Sequence, residues 1–171
     1  RKITKKVDPA GGVMTFGYDS NLNLTSQTDP LGRASLFVYD DSGNVTSKRD
    51  ANGGTTQAIY DPEVNLPISI TDAKGSKTQM FYDAVGNLVQ TQDAQGHTTQ
   101  TTYDNQGHAL SSKNPIGNSS AFTYDPNGAL ASQTDPLNRT TVFTRDALSR
   151  ITVQTDPASN GTDFNYDAQG N

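Results

Sequence analysis

Seven aromatic–acid pairs recur along this chain: Tyr18-Asp19, Tyr39-Asp40, Tyr60-Asp61, Tyr82-Asp83, Tyr103-Asp104, Tyr124-Asp125 and Tyr166-Asp167. Arg145-Asp146 fills the one gap in the series. An aromatic ring beside a carboxylate is chemistry suited to sugars, because the ring face takes apolar surface and the carboxylate accepts hydroxyl hydrogens. The eight aspartates are also hard oxygen donors of the kind calcium takes. Calcium wants about six to eight oxygens converging on one point, and one carboxylate per pair is sparse. The Gly-Gly-x-Gly-x-Asp calcium roll is missing too. His97 and His108 lie on either side of Tyr103, each just after a glycine, with no cysteine or second histidine pair beside them. They are expected to be solvated turn residues rather than ligands or a base. Adjacent carboxylates such as Asp40-Asp41 are turn neighbours and do not make a glycosidase pair. No Gly-x-Ser-x-Gly, His-Glu-x-x-His or phosphate loop occurs. The sequence therefore points to no catalytic, cofactor-binding or metal residue, and the protein is not expected to be an enzyme. The Tyr and Asp of the pairs are expected to be structural, the ring packed in a ladder and the carboxylate capping a turn.

The spacing of the pairs shows what must position them. Successive members are 21, 21, 22, 21, 21, 21 and 21 residues apart, so the register survives at Arg145 where the tyrosine does not. A period that regular marks an array of one supersecondary unit. Each unit carries two turn signals. One is Tyr-Asp-x-x-Gly-Asn, as in Tyr39-Asp40-Asp41-Ser42-Gly43-Asn44; the other is Asp-(Pro/Ala)-x-Gly, as in Asp29-Pro30-Leu31-Gly32. The second aspartate falls ten residues before the next pair, with Asn114 replacing it once. Asp at the first position bonds the amides ahead of it, Pro at the second fixes φ, and Gly at the fourth supplies φ > 0. This is a type I turn closed by a glycine bulge, a common hairpin connection.

The segments between turns have strand length and alternate. The residue two before each pair is Phe16, Phe37, Ala58, Met80, Thr101, Phe122, Phe143 and Phe164. Residues two apart share a sheet face, so Tyr and Phe form one apolar stripe. Leu24, Val45, Leu66, Leu88, Ala109, Leu130 and Ile151 lead the return strands, and contact between them and Tyr/Phe is expected to hold each hairpin. If that column is core, Phe122→Ala costs ~3–5 kcal/mol. The third unit has one extra residue and Pro67, which cannot donate to a ladder, so a bulge or break is expected there.

Composition agrees with an array. Only 32% of the 171 residues are hydrophobic, and mean hydropathy is -0.68, thin for a globule with one deep core. The net charge of -5 comes from 18 acidic and 13 basic residues with no basic patch, so neither nucleic acid nor an anionic membrane is an expected partner. There is no cysteine and no apolar run long enough to span a bilayer, so membrane insertion by this segment is not expected. The chain starts at Arg1-Lys2-Ile3 and stops at Gly170-Asn171, just inside a new repeat, and is expected to be a piece of a longer protein. The expected fold is all-β: tandem hairpins of about 21 residues stacked into a long, curved or spiralling antiparallel sheet, one array over residues 1–171. Its open edges favour edge-to-edge self-association.

Tyr-Asp-x-x-Gly-Asn-Leu followed by Asp-x-x-Gly, in seven or eight copies of fixed register from about Asp8 to Asn171, resembles the Rhs/YD-repeat family. The resemblance implies a β-sheet shell, wound as a spiral of hairpins, that encloses a C-terminal polypeptide. Such shells occur in bacterial Rhs polymorphic toxins, in Tc toxin complexes and in teneurins. It implies a non-catalytic wall segment with no cofactor, its partners being the rest of its own chain and the enclosed cargo. It also implies a secreted or cell-surface location, most readily bacterial. A carbohydrate-binding or adhesin array is the alternative the resemblance carries, with a glycan as partner. The core segment that would plug or cut such a shell, and the variable toxic tip, are absent from this sequence. Asp29-Pro30-Leu31-Gly32 is an ordinary turn of the repeat, since it recurs as Asp135-Pro136-Leu137-Asn138.

Overall fold

The computed structural model describes residues 1–167 and 169–170. The expected end of the array, Asn171, lies outside the described residues. Sixteen strands and no helix are found among them. The strands that end at the repeat's key position are β2 (Val13–Tyr18), β4 (Ala34–Tyr39), β6 (Thr55–Tyr60), β8 (Lys77–Tyr82), β10 (Thr98–Tyr103), β12 (Ser119–Tyr124) and β14 (Thr140–Arg145). The return strands are β3 (Leu24–Thr28), β5 (Val45–Arg49), β7 (Pro67–Thr71), β9 (Leu88–Gln92), β11 (Ala109–Lys113), β13 (Leu130–Thr134) and β15 (Ile151–Thr155). Short strands β1 (Lys5–Val7) and β16 (Gly161–Asp163) stand at the ends. Strand order in the sheet follows chain order from β1 to β16. The fold is the expected stack of antiparallel hairpins.

The chain divides into two compact units, residues 1–81 with 92–96, and residues 82–91 with 97–171. Inside each, strands touch only their sequence neighbours. Alternation is plain in β4, where Ser35, Phe37 and Tyr39 are half-buried while Ala34, Leu36 and Val38 are exposed. Strand β12 repeats it, with Ser120, Phe122 and Tyr124 half-buried.

Two expectations about packing need correction. No hydrophobic side chain among the described residues is fully buried, and Ser69 alone is, at 5% exposure. Phe16, Phe37, Phe122 and Phe143 are therefore half-buried rather than core and Phe164 is exposed, because a strand layer that meets only its neighbours within the sheet covers each ring from the sides and leaves its top open. The cross-strand pairing also differs. Tyr does face the leading residue of the return strand, as in Tyr18↔Leu24, Tyr39↔Val45 and Tyr124↔Leu130. Phe faces a polar residue instead: Gln27 for Phe16, Lys48 for Phe37, Gln133 for Phe122 and Gln154 for Phe143.

A second bulge decides which polar residue that is, since without it Phe16 and Phe122 would face Ser26 and Ser132. Register slips by one residue just before the tyrosine, as between Thr123 and Tyr124, so one residue of the return strand has no opposite number. Between Ile59 and Tyr60 the same slip places Pro67 opposite Tyr60. Pro67 is the first residue of its strand, a position that tolerates proline. The extra residue of that unit is absorbed by a longer turn, in which Asp61 N–H donates to Leu66 O at 2.8 Å and Asn65 takes φ 58°. The ladder bulges there but does not break.

Candidate functional site

Apart from the longer turn at Asp61, the turns at both ends of the hairpins share one geometry. Asp40 N–H donates to Asn44 O at 3.0 Å, and Gly43 N–H donates to Asp40 O at 3.1 Å. Gly43 sits at φ 84°, as the type I turn with a glycine bulge requires. The carboxylate ties the turn further. Asp40 Oδ1 accepts the N–H groups of Ser42 and Asn44 at 3.0 and 2.8 Å, and Oδ2 accepts the Asn44 side-chain amide at 3.0 Å. Asp83 repeats all three bonds with Val85 and Asn87. At the opposite rim Asp29 binds Leu31 and Arg33, Asp135 binds Leu137 and Arg139, and Asp156 binds Ala158 and Asn160. Asn114, the one replacement, accepts the same two amides at 3.2 and 3.0 Å.

These bonds favour the ionised carboxylate. The Asn44 and Asn87 amides hold Asp40 and Asp83 below the usual carboxylate range, and the guanidiniums of Arg139 and Arg150 do so for Asp135 and Asp146. The backbone N–H groups of Asn23 and Arg33 lower Asp19 and Asp29. Burial pushes Asp104 upward, but bonds from the His108 N–H and ring outweigh it. In these turns the carboxylate oxygens are spent on the aspartate's own loop. No group of three or more His, Asp or Glu converges on a metal-sized space among the described residues.

The tyrosine hydroxyls do something equally local. Tyr39 Oη donates to Leu24 O at 2.9 Å. The β3–β4 ladder stops at Ser26↔Leu36, so the Leu24 carbonyl lies beyond its last pair. One end of this hairpin is closed by the Asp29 turn and the other by the Tyr39 hydroxyl. Tyr18 reaches Ile3 O, Tyr60 reaches Val45 O at a long 3.4 Å, Tyr103 reaches Leu88 O, Tyr124 reaches Ala109 O and Tyr166 reaches Ile151 O. In every case the carbonyl lies 15 residues back. Arg145 makes the same bond, from a guanidinium nitrogen to Leu130 O at 3.1 Å, and a second to Ser149 O. Burial pushes the Tyr82 hydroxyl pKa up.

The residue after the turn glycine, expected at His108 to be a solvated turn residue, joins consecutive repeats at several places. The His108 ring stacks on Tyr124 with centroids 4.7 Å apart while its Nδ1 lies 2.9 Å from Asp104 Oδ2. His108 is thus a packed, half-buried link and not the solvated turn residue expected; His97 is exposed. A Cβ added to Gly128 would come within 2.8 Å of His108 Nε2, so the next turn closes over the ring. The Arg150 guanidinium lies over Tyr166 at 4.4 Å and pairs with Asp146 at 2.7 Å. The Asn44 side-chain amide donates to Asn65 Oδ1, 21 residues on. The available signal was the donor-bearing side chains at this column, Asn23, Asn44, Asn87, His108 and Arg150.

One groove of about 520 Å³ opens on the tyrosine face of the second unit. Phe143 lies in it with Gln133 and Gln154, bordered by Asp135, Arg139 and Asp156.

Comparison with known proteins follows this geometry. The RHS Repeat family model matches six overlapping stretches, 18–56, 39–77, 60–98, 82–118, 103–136 and 124–160. All six begin at a tyrosine of a pair. No curated protein matches the chain. Among solved structures, the chain resembles the crystal structure of TcdB2-TccC3-Cdc42 at TM-score 0.56 and 16% identity, over 92% of this chain and 11% of that one. It resembles TcdB2-TccC3 without its hypervariable C-terminal region at TM-score 0.56 and 17% identity, over 97% of this chain and 12% of that one. TcdB2-TccC3 itself gives TM-score 0.55 and 16% identity. At such identity the likeness speaks to fold, and the chain spans about an eighth or less of the chains it resembles.

Proposed function

This chain belongs to the RHS repeat family, and from that premise we propose that it is a non-catalytic wall segment of a shell that encloses a C-terminal toxin or other cargo of a longer, secreted protein. Residues 1–171 act in this reading as one array, with the rest of the same chain and its cargo as partners. The observation that carries it is where the motif's chemistry goes. Hydroxyls of the Tyr-Asp pairs cap backbone carbonyls, and carboxylates of the pairs cap their own turns, so the chemical groups of the repeat are consumed in making a stiff sheet. The structural Tyr and Asp, Tyr18 through Asp167, are therefore wall fasteners rather than a binding row.

Limited proteolysis of the full-length protein tests this. The region C-terminal to the repeats should survive protease that degrades the same region expressed alone. Equal cleavage rates in the two settings would sink the reading.

The groove at Phe143 favours a second reading, a glycan-binding array, since a ring between two carboxamides offers both stacking and hydrogen bonds to a sugar. It predicts saturable glycan binding that Phe143→Ala abolishes; a flat glycan array removes it.

A further inference from the structure

Two repeats share a cradle on the tyrosine face, and only one of them fills it from within. In the first compact unit Phe37 is paired across strands with Lys48, and the Lys48 ammonium lies over the Phe37 ring, 5.9 Å from its centroid. In the second unit Phe143 is paired in the same way with Gln154. The surroundings correspond. Gln27, Asp29 and Arg33 of the first cradle answer to Gln133, Asp135 and Arg139 of the second, and Asp50 answers to Asp156. Asp29 Oδ2 takes both Nε and Nη2 of Arg33, at 2.8 and 2.7 Å, and Asp135 Oδ2 takes both of Arg139, at 2.7 and 2.6 Å. Among these positions charge changes at one only, where Gln154 stands in place of Lys48.

Where the lysine is missing there is room and unbalanced charge. The groove of about 520 Å³ lies at this place, with Phe143, Gln133 and Gln154 in its lining. Asp135 is neutralised by Arg139. Asp156, at the same rim, bonds only amides among the described residues: the N–H groups of Ala158 and Asn160, and the Asn160 side chain. Those bonds, the Asn160 side chain foremost, hold its carboxyl below the ordinary value, so it carries its charge. The first cradle thus balances two carboxylates with two cations, while the second has two carboxylates and one cation.

We propose that the Phe143 groove binds an alkylammonium group, from a free aliphatic amine or a lysine side chain of another polypeptide, in the place that Lys48 fills at Phe37. The ring face attracts the cation through its quadrupole. Asp156 supplies the opposite charge, and the carboxamide oxygens of Gln133 and Gln154 accept ammonium hydrogens. The inference does not rest on the wall reading. It departs from the glycan reading of the same groove, since charge selects the ligand rather than stacking and neutral hydroxyls.

The test is saturation-transfer difference NMR, which observes the ligand and so suits the full chain. At fixed ionic strength n-butylammonium, a lysine side chain cut at Cβ, should bind saturably, and n-butanol, the same stem without the charge, should not. Gln154→Lys supplies the cation from within and should abolish the binding. Asp156→Asn should raise the Kd roughly threefold; its turn survives, since Asn114 caps the equivalent turn through the same two amides. Lys48→Gln empties the first cradle and should add a second site with the same preference, a gain that misfolding cannot produce. Nα-acetyl-lysine N-methylamide separates the two sources: tighter binding than butylammonium assigns the groove to a polypeptide lysine, weaker binding assigns it to a free amine, and either upholds the ammonium preference. The proposal is overturned by the absence of saturable butylammonium binding, or by n-butanol or methyl glucoside binding equally well, which leaves the groove to neutral ligands. It is also overturned by binding that Gln154→Lys does not touch, which means attraction to the acidic surface at large, or by a Lys48→Gln variant that gains no site. Protease protection of the cargo region is independent of each of these results, so the wall reading stands or falls separately.

Discussion

The repeats ending at Tyr124 and at Arg145 do the same job with different chemistry. Tyr124 lays a phenol ring against His108 and donates one hydroxyl to Ala109 O. Arg145 has Ala129 where the preceding repeat has His108, and its guanidinium supplies the corresponding bond to Leu130 O together with one to Ser149 O. The array needs a long side chain ending in a donor at this place; an aromatic ring is one way to provide it. The exchange is imperfect. Arg145 Nε is buried without a partner, and Ser149 adopts φ 62° where most repeats have glycine. The Arg145 repeat is expected to be the weaker joint.

Acid should act on both repeats at once, because it reaches many turns together. The carboxyls of Asp19, Asp29, Asp40, Asp83, Asp104, Asp135, Asp146 and Asp156 all lie below their ordinary value of 3.8. A carboxyl whose pKa is depressed by folding contributes stability that is present above its unfolded pKa and is lost as pH falls through the folded one. Thermal melting followed by circular dichroism should therefore drop steeply below about pH 4 and change little from carboxylate titration at higher pH. Next in size, Tyr124→Ala removes the ring, the His108 stack and the carbonyl's partner, and should destabilise by ~2–4 kcal/mol in urea unfolding. Arg145→Met keeps the length and loses the donors, at a cost of ~1–2 kcal/mol; a stabilised variant would mean that the buried Nε outweighs both bonds. Phe122→Ala should cost ~1–2 kcal/mol, below the value for a core phenylalanine, because the ring is only half-buried. Tyr124→Phe removes a single bond and should cost about 1 kcal/mol.

The turns were legible because each needs particular residue types at particular offsets: an acceptor first, then φ > 0 three residues on. The period followed from the turns, and the strands from the period. The Tyr hydroxyl bond was not legible, since its target 15 residues back is set by register, and the early end of the β3–β4 ladder that leaves the Leu24 carbonyl beyond its last pair has no residue type to mark it. The Phe partners were misjudged because strict alternation back from Tyr18↔Leu24 already puts a polar residue, Ser26, opposite Phe16, and the bulged residue only exchanges it for Gln27. His108 was misjudged because a histidine beside a turn glycine resembles a solvated one until the next repeat is laid against it. Arg145 was legible as a place in the register, but not as a replacement donor.

The span of 15 residues has a kinetic consequence. Every clip that fastens a tyrosine reaches back to chain already made, and none waits for sequence still to come. Each hairpin can therefore lock onto its predecessor as it emerges from synthesis, and growth proceeds as a zipper with low contact order. Added repeats lengthen the time to completion step by step without raising the barrier of any one step, and the free energy accumulates as a sum over neighbouring joints. A chain built this way can be extended to great length without folding becoming a search.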